Sequence, residues 1–327
     1  MWMMMSSRLM AMGFLVAVTM ISSPVIAVTP VPDQEQESGT FTDGADWLSW
    51  WPVPAAIAAL LILLWIPDLR LRRPRLRQWS FSPLAGFIFF MTALLGGLFA
   101  SRIALSLAGG GLAIEQADQA IPPDLRSIVF MMLGNYIGQG VVLLLVPGLI
   151  LGKVRSANPM RSGLSWWKAM AAGTGAMVLF WPLVLASGLL AGVFITLMTG
   201  QELPEIAHTT LLQLQQAAEN PDIWLILALI MIVLLTPILE ELMYRGLLQE
   251  SIRRMPGLVT ETPWIAIALT SIIFAVMHAA VVDQRGLVAL IVLSMGFGWI
   301  ALRTGRLLSC IVMHGLFNLL NLVQVLA

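Results

Sequence analysis

One cysteine, Cys310, is all that 327 residues provide, which excludes an intrachain disulfide and any multi-cysteine metal cluster. Charge is almost as scarce: acidic and basic residues together make up 11% of the chain against 58% hydrophobic residues, and the two signs cancel. No soluble domain of this length has that ratio, and a mean hydropathy of +0.87 points the same way. The basic residues cluster in short segments between apolar runs, so no surface suited to nucleic acid is in view. The His-Glu-x-x-His zinc signature is also missing, and no two of the three histidines lie one helical turn apart.

What the chain has in abundance is hydrocarbon. Eight apolar stretches approach the ~20 residues that cross ~30 Å of bilayer: 47–66, 83–100, 128–151, 169–198, 223 to beyond 242, 264–281, 286–302 and 308–326. Each must be a helix, because lipid offers the backbone no hydrogen-bond partner. The expected fold is therefore all-α, a polytopic bundle of about eight transmembrane helices. Ahead of them, Arg8, an apolar stretch over 9–20 and the small residues up to Ala27 fit a signal peptide or an uncleaved N-terminal anchor over 1–27. Residues 28–46 are polar and read as an exposed linker. Arg70, Arg72, Arg73, Arg75 and Arg77, then Lys153, Arg155, Arg161 and Lys168, then Arg253 and Arg254, then Arg303 and Arg306 follow alternate spans. Those loops are expected in the cytoplasm of a cell (inner) membrane protein.

The glycine pairs Gly134/Gly138 and Gly188/Gly192 have the small-xxx-small spacing that brings helices close. Asn135 and Gln139, also one turn apart, suit an interhelical hydrogen bond or the wall of a wet cavity. His208, in a polar stretch, reads as a solvated loop residue.

Glu240 and Glu241 are the residues that hydrocarbon should not tolerate. A charge at mid-bilayer costs roughly 3 kcal/mol on insertion scales, so an adjacent pair needs partners, water or a task. Three one-turn pairs supply company: Glu241 with Arg245, Phe274 with His278, and His314 with Asn318, a face that Asn321 continues. Helical phase turns Glu240 about 100° away from Glu241, so Arg245 neutralises Glu241 and leaves Glu240 pointing elsewhere. Depth is harder to reconcile. At 1.5 Å per residue Glu240 lies ~20 Å from Arg253 and His278 ~22 Å from Pro263, whereas His314 is only ~12 Å from Arg306.

Glu240-Glu241-x-x-x-Arg245, Phe274-x-x-x-His278 and His314-x-x-x-Asn318, in this order, resemble the motifs of the CAAX protease and bacteriocin-processing enzyme family of intramembrane proteases, also called the Abi family and including type II CAAX prenyl endopeptidases. Tyr244 stands where many members carry Phe. The resemblance covers roughly 223–323, making 223–327 the catalytic helices and 47–222 an N-terminal set. It implies peptide-bond hydrolysis within the membrane, at a cavity open to the cytosol, on peptide or protein substrates that include lipidated ones.

Chemistry permits this independently. A desolvated carboxylate can activate water near neutral pH, and Glu240 is the candidate base. His278 would orient the water, while His314 and the Asn318 amide would donate to the developing oxyanion. No cofactor is needed in that scheme. The alternative is a zinc ion held by Glu240, His278 and His314 with Glu241 as base, and the family carries both descriptions. Cys310, one turn before His314, permits a cysteine mechanism, although a small packing residue is the simpler role. From other classes, an ion-coupled transporter would use the same residues as a proton path, and a silent scaffold or immunity protein would keep the fold without the chemistry.

Overall fold

A computed structural model describes residues 50–65, 82–108, 124–145, 165–200, 208–255 and 263–326. The expectations for 1–27 and 28–46 lie outside the described residues, as do the basic segments around Arg70–Arg77 and Lys153–Arg161.

Nine helices occupy the described residues: α1 (Pro52–Trp65), α2 (Pro83–Leu107), α3 (Leu125–Leu145), α4 (Trp166–Thr199), α5 (Thr209–Ala218), α6 (Ile223–Arg253), α7 (Trp264–Met277), α8 (Gln284–Thr304) and α9 (Leu307–Leu326). Eight of them coincide with the eight apolar stretches. Six are long and apolar enough to cross a membrane, whereas α1 and α7 have 14 residues each, ~21 Å of helix. The outward-facing positions are apolar too: Phe99, Val178 and Leu197 are more than two-thirds exposed. A surface of that kind needs hydrocarbon around it, and the chain is an integral, multi-pass membrane protein.

Helix boundaries follow local chemistry. Ser82 accepts from the Ala85 N–H ahead of Pro83 at the start of α2, and Asp222 accepts from the N–H groups of Trp224 and Leu225 at the start of α6. Asp283 does the same for α8 through Gly286, 2.8 Å away. At its other end α8 stops at Gly305, whose φ of 68° is open to glycine, so α9 begins within two residues and folds back.

Close packing bears on the glycine readings. A Cβ on Gly138 would stand 2.2 Å from the Gly96 carbonyl and one on Gly134 2.5 Å from that of Ala100, so α2 and α3 touch backbone to backbone. Gly188 meets α8 only at an ordinary 3.6 Å from Ala289, so the second spacing does not mark a close approach there. Gln139 donates to Asn135 within α3 at 3.1 Å rather than across to another helix. The polar stretch before α6 contains α5, and His208 is its half-buried N-cap, accepting from the Thr210 N–H; burial and the nearby His278 lower its pKa to about 4. His208 is thus not a solvated loop residue. Its backbone bridges to Val282 in the turn after His278.

Candidate active site

Pro237 interrupts α6 in the turn before the two glutamates. With no N–H on Pro237 the helix widens to i→i+5 bonding over Met231–Leu235, and a second such stretch spans Leu242–Leu248. Between them the α-helical turn Thr236–Glu241 carries both carboxylates.

Glu241 is fully buried. Its Oε1 accepts from Arg245 Nη1 at 3.0 Å, as the spacing predicts, and lies 3.0 Å from His314 Nδ1 on α9. Arg245 reaches further than its partner glutamate. Its Nη2 donates to the Ser294 carbonyl at 3.0 Å and to the Ser294 hydroxyl at 2.6 Å, and the guanidinium lies 5.1 Å from the Phe274 ring and 4.9 Å from that of Phe297. Phe297 stacks on His314 with ring centres 4.7 Å apart, and Phe274 lies 4.5 Å from His278. A buried pair thus becomes a clamp on three helices.

Glu240 points to the other side, with 21% of its side chain exposed against none for Glu241. Its Oε1 is 4.0 Å from His278 Nε2 and its Oε2 is 3.9 Å from His314 Nε2. Residue counting set His314 well above the other two, yet all three side chains converge. His278 is held by its own helix end, where Nδ1 donates to the Phe274 carbonyl at 2.7 Å. That bond places the proton of a neutral His278 on Nδ1 and leaves its Nε2 as an acceptor beside Glu240, while His314 directs Nδ1–H to Glu241 and turns Nε2 toward Glu240. Oε2 of Glu240 is buried without a hydrogen-bond partner among the described residues.

Asn318 does something other than the sequence suggested. Its Nδ2 donates to the Ile232 carbonyl at 2.8 Å, the oxygen whose i→i+5 donor would be the missing N–H of Pro237. One amide hydrogen is therefore committed to holding α9 against the break in α6. Cys310 is buried and its thiol donates to the Leu307 carbonyl, the packing role rather than a nucleophile's. Ser294 and Phe297 were missed by sequence reasoning; a serine inside an apolar span was the available signal for the first.

The metal reading can be tested on distances. Zinc holds N and O donors at ~2.0–2.1 Å, so donors 4.0 Å apart would subtend about 155° rather than a tetrahedral angle. The donor types suit zinc and their spacing does not. Among the described residues no group of three His, Cys, Asp or Glu side chains is close enough to hold a metal ion.

Residues 222–320 match the family model described as Rce1-like, type II CAAX prenyl endopeptidase. This segment is similar to that Rce1-like family, and the match spans about a third of the chain. It contains all of α6, α7 and α8 and most of α9, and with them Glu240, Glu241, Arg245, His278, His314 and Asn318. Helices α1 to α5 lie outside the Rce1-like match. No curated protein and no solved structure matches the chain.

Proposed function

We propose that the protein is an intramembrane endopeptidase that hydrolyses peptide bonds of membrane-associated protein or peptide substrates, lipidated ones included, with Glu240 activating water. The convergence of Glu240 with the Nε2 atoms of His278 and His314 carries the reading. The Rce1-like match supports it.

A water bonded at ~2.8 Å to two partners 4.0 Å apart sees them at about 90°, a comfortable angle for its two hydrogens. Glu240 takes one proton as the oxygen attacks the scissile carbonyl, and His278 Nε2 accepts the other hydrogen and fixes the lone pair's direction. With Glu240 ionised, as a base must be, an imidazolium at His314 completes a neutral set: two carboxylates, Arg245 and His314. Glu241 at Nδ1 stabilises that imidazolium, and its Nε2–H faces the developing oxyanion. The tetrahedral intermediate then collapses, the C–N bond breaks, and protonated Glu240 returns its proton to the leaving amine. Asn318 acts here by positioning α9. No step is drawn through a metal, because the donor spacing does not fit one.

Basic residues Arg253, Arg254, Arg303 and Arg306 support a site opening to the cytoplasm. The test that needs no known substrate compares protein C-termini across the membrane proteome of cells carrying the wild-type chain or Glu240→Ala. New C-termini dependent on Glu240 are expected. Identical termini in both would refute the proposal, and so would chelator-sensitive activity for its metal-free form.

A further inference from the structure

Glu240 owes its direction to a break in α6, and one side of that break is held from outside the Rce1-like match. Two carbonyls at the break take side-chain donors, and that of Ile232 has lost its i→i+5 partner to the missing N–H of Pro237. That of Met231 receives both the N–H and the hydroxyl of Thr236, the latter at 3.1 Å; that of Ile232 receives Asn318. Since the Thr236 hydroxyl spends its hydrogen on Met231, its oxygen accepts from the Tyr136 hydroxyl on α3, and the chain runs Tyr136 to Thr236 to Met231. Thr236 lies one turn before Glu240, so Tyr136 meets α6 on the face that carries Glu240.

Resting on the reading of Glu240 as base, we propose that Tyr136 is a positioning residue that fixes the phase of Glu240 through Thr236. A slip of one residue in helical register turns every later side chain by about 100°, the angle that separates Glu240 from Glu241. A tyrosine bolted to the break prevents the slip. It also explains how helices outside the Rce1-like match contribute to the site's chemistry.

Labelling of Glu240 in the full-length protein by a hydrophobic carbodiimide, read by peptide mass spectrometry, tests this without any substrate. Tyr136→Phe keeps the ring and removes the hydroxyl; Thr236→Val removes the acceptor; Thr236→Ser restores it. We expect Tyr136→Phe and Thr236→Val to change the Glu240 labelling rate several-fold relative to Glu241, their combination to do no more than either alone, and Thr236→Ser to match wild type. On a peptide that spans a Glu240-dependent C-terminus, kcat should fall about tenfold in the same two variants with KM little changed. Unaltered labelling in Tyr136→Phe, or additive effects in the double variant, would overturn the proposal. Full hydrolysis by Glu240→Gln would instead remove the base assignment, an outcome read separately from the labelling.

Discussion

Arg245→Ala isolates the best-defined energetic claim. The substitution leaves the fully buried Glu241 without its cationic partner, removes two hydrogen bonds to Ser294, and empties the space against the Phe274 and Phe297 rings. Removing one member of a buried pair typically costs about 3–5 kcal/mol. At roughly 2 °C per kcal/mol for a chain of this size, the midpoint of thermal unfolding should fall by about 6–10 °C. Intrinsic fluorescence of the purified protein in detergent follows it, since the chain has 12 tryptophans. The larger part of that cost is the lone carboxylate, so Glu241→Gln introduced into Arg245→Ala should recover part of the loss. A midpoint within about 2 °C of wild type for Arg245→Ala would refute the clamp. A double variant as unstable as the sum of the two single ones would refute the reason given for it.

Three further outcomes follow from other parts of the molecule. The His208 cap needs an unprotonated Nδ1; its pKa is about 4 in the fold and near 6.5 when free, so the folded state binds fewer protons between those values. Amide exchange protection of α5 should be constant above pH ~6.5 and decline as pH falls toward about 4, and a flat profile would contradict the capping role. Asn318→Ala leaves the Ile232 carbonyl without its donor and should destabilise by about 1–3 kcal/mol, read as a lower unfolding midpoint, whereas unchanged stability would return Asn318 to an oxyanion role. Gly138→Leu forces a side chain into the Gly96 backbone and should cost at least about 1–3 kcal/mol, while Gly188→Ala, with its nearest neighbour at 3.6 Å, should be nearly silent in the same assay.

The sequence was most legible where spacing along one helix decides the contact. Glu241 with Arg245, and His278 at the end of the Phe274 turn, are one-turn pairs, and both are in place. Contacts between helices were not legible. Nothing in the sequence links Ser294 to Arg245, and nothing says that His314 spends Nδ1 on Glu241 while turning Nε2 to Glu240. The depth conflict of His314 arose because residue counting measures distance along a helix from an assumed boundary, and neither boundary nor tilt is written in residue order. The Asn318 contact was hidden for a related reason. Its partner exists only because Pro237 frees a carbonyl on another helix, a consequence of local backbone register that motif spacing does not reveal.

Glu240 as the water-activating base is the central claim, and hydrolysis of a peptide that spans a Glu240-dependent C-terminus, by purified Glu240→Gln in chelator-treated buffer, tests it most directly. A correctly placed general base contributes about 10²–10⁴-fold, so the variant should lose that much of kcat while the wild-type protein keeps full activity beside the chelator and both unfold at the same temperature. Wild-type turnover by Glu240→Gln, or loss of wild-type activity to the chelator with recovery on adding zinc, would contradict the account.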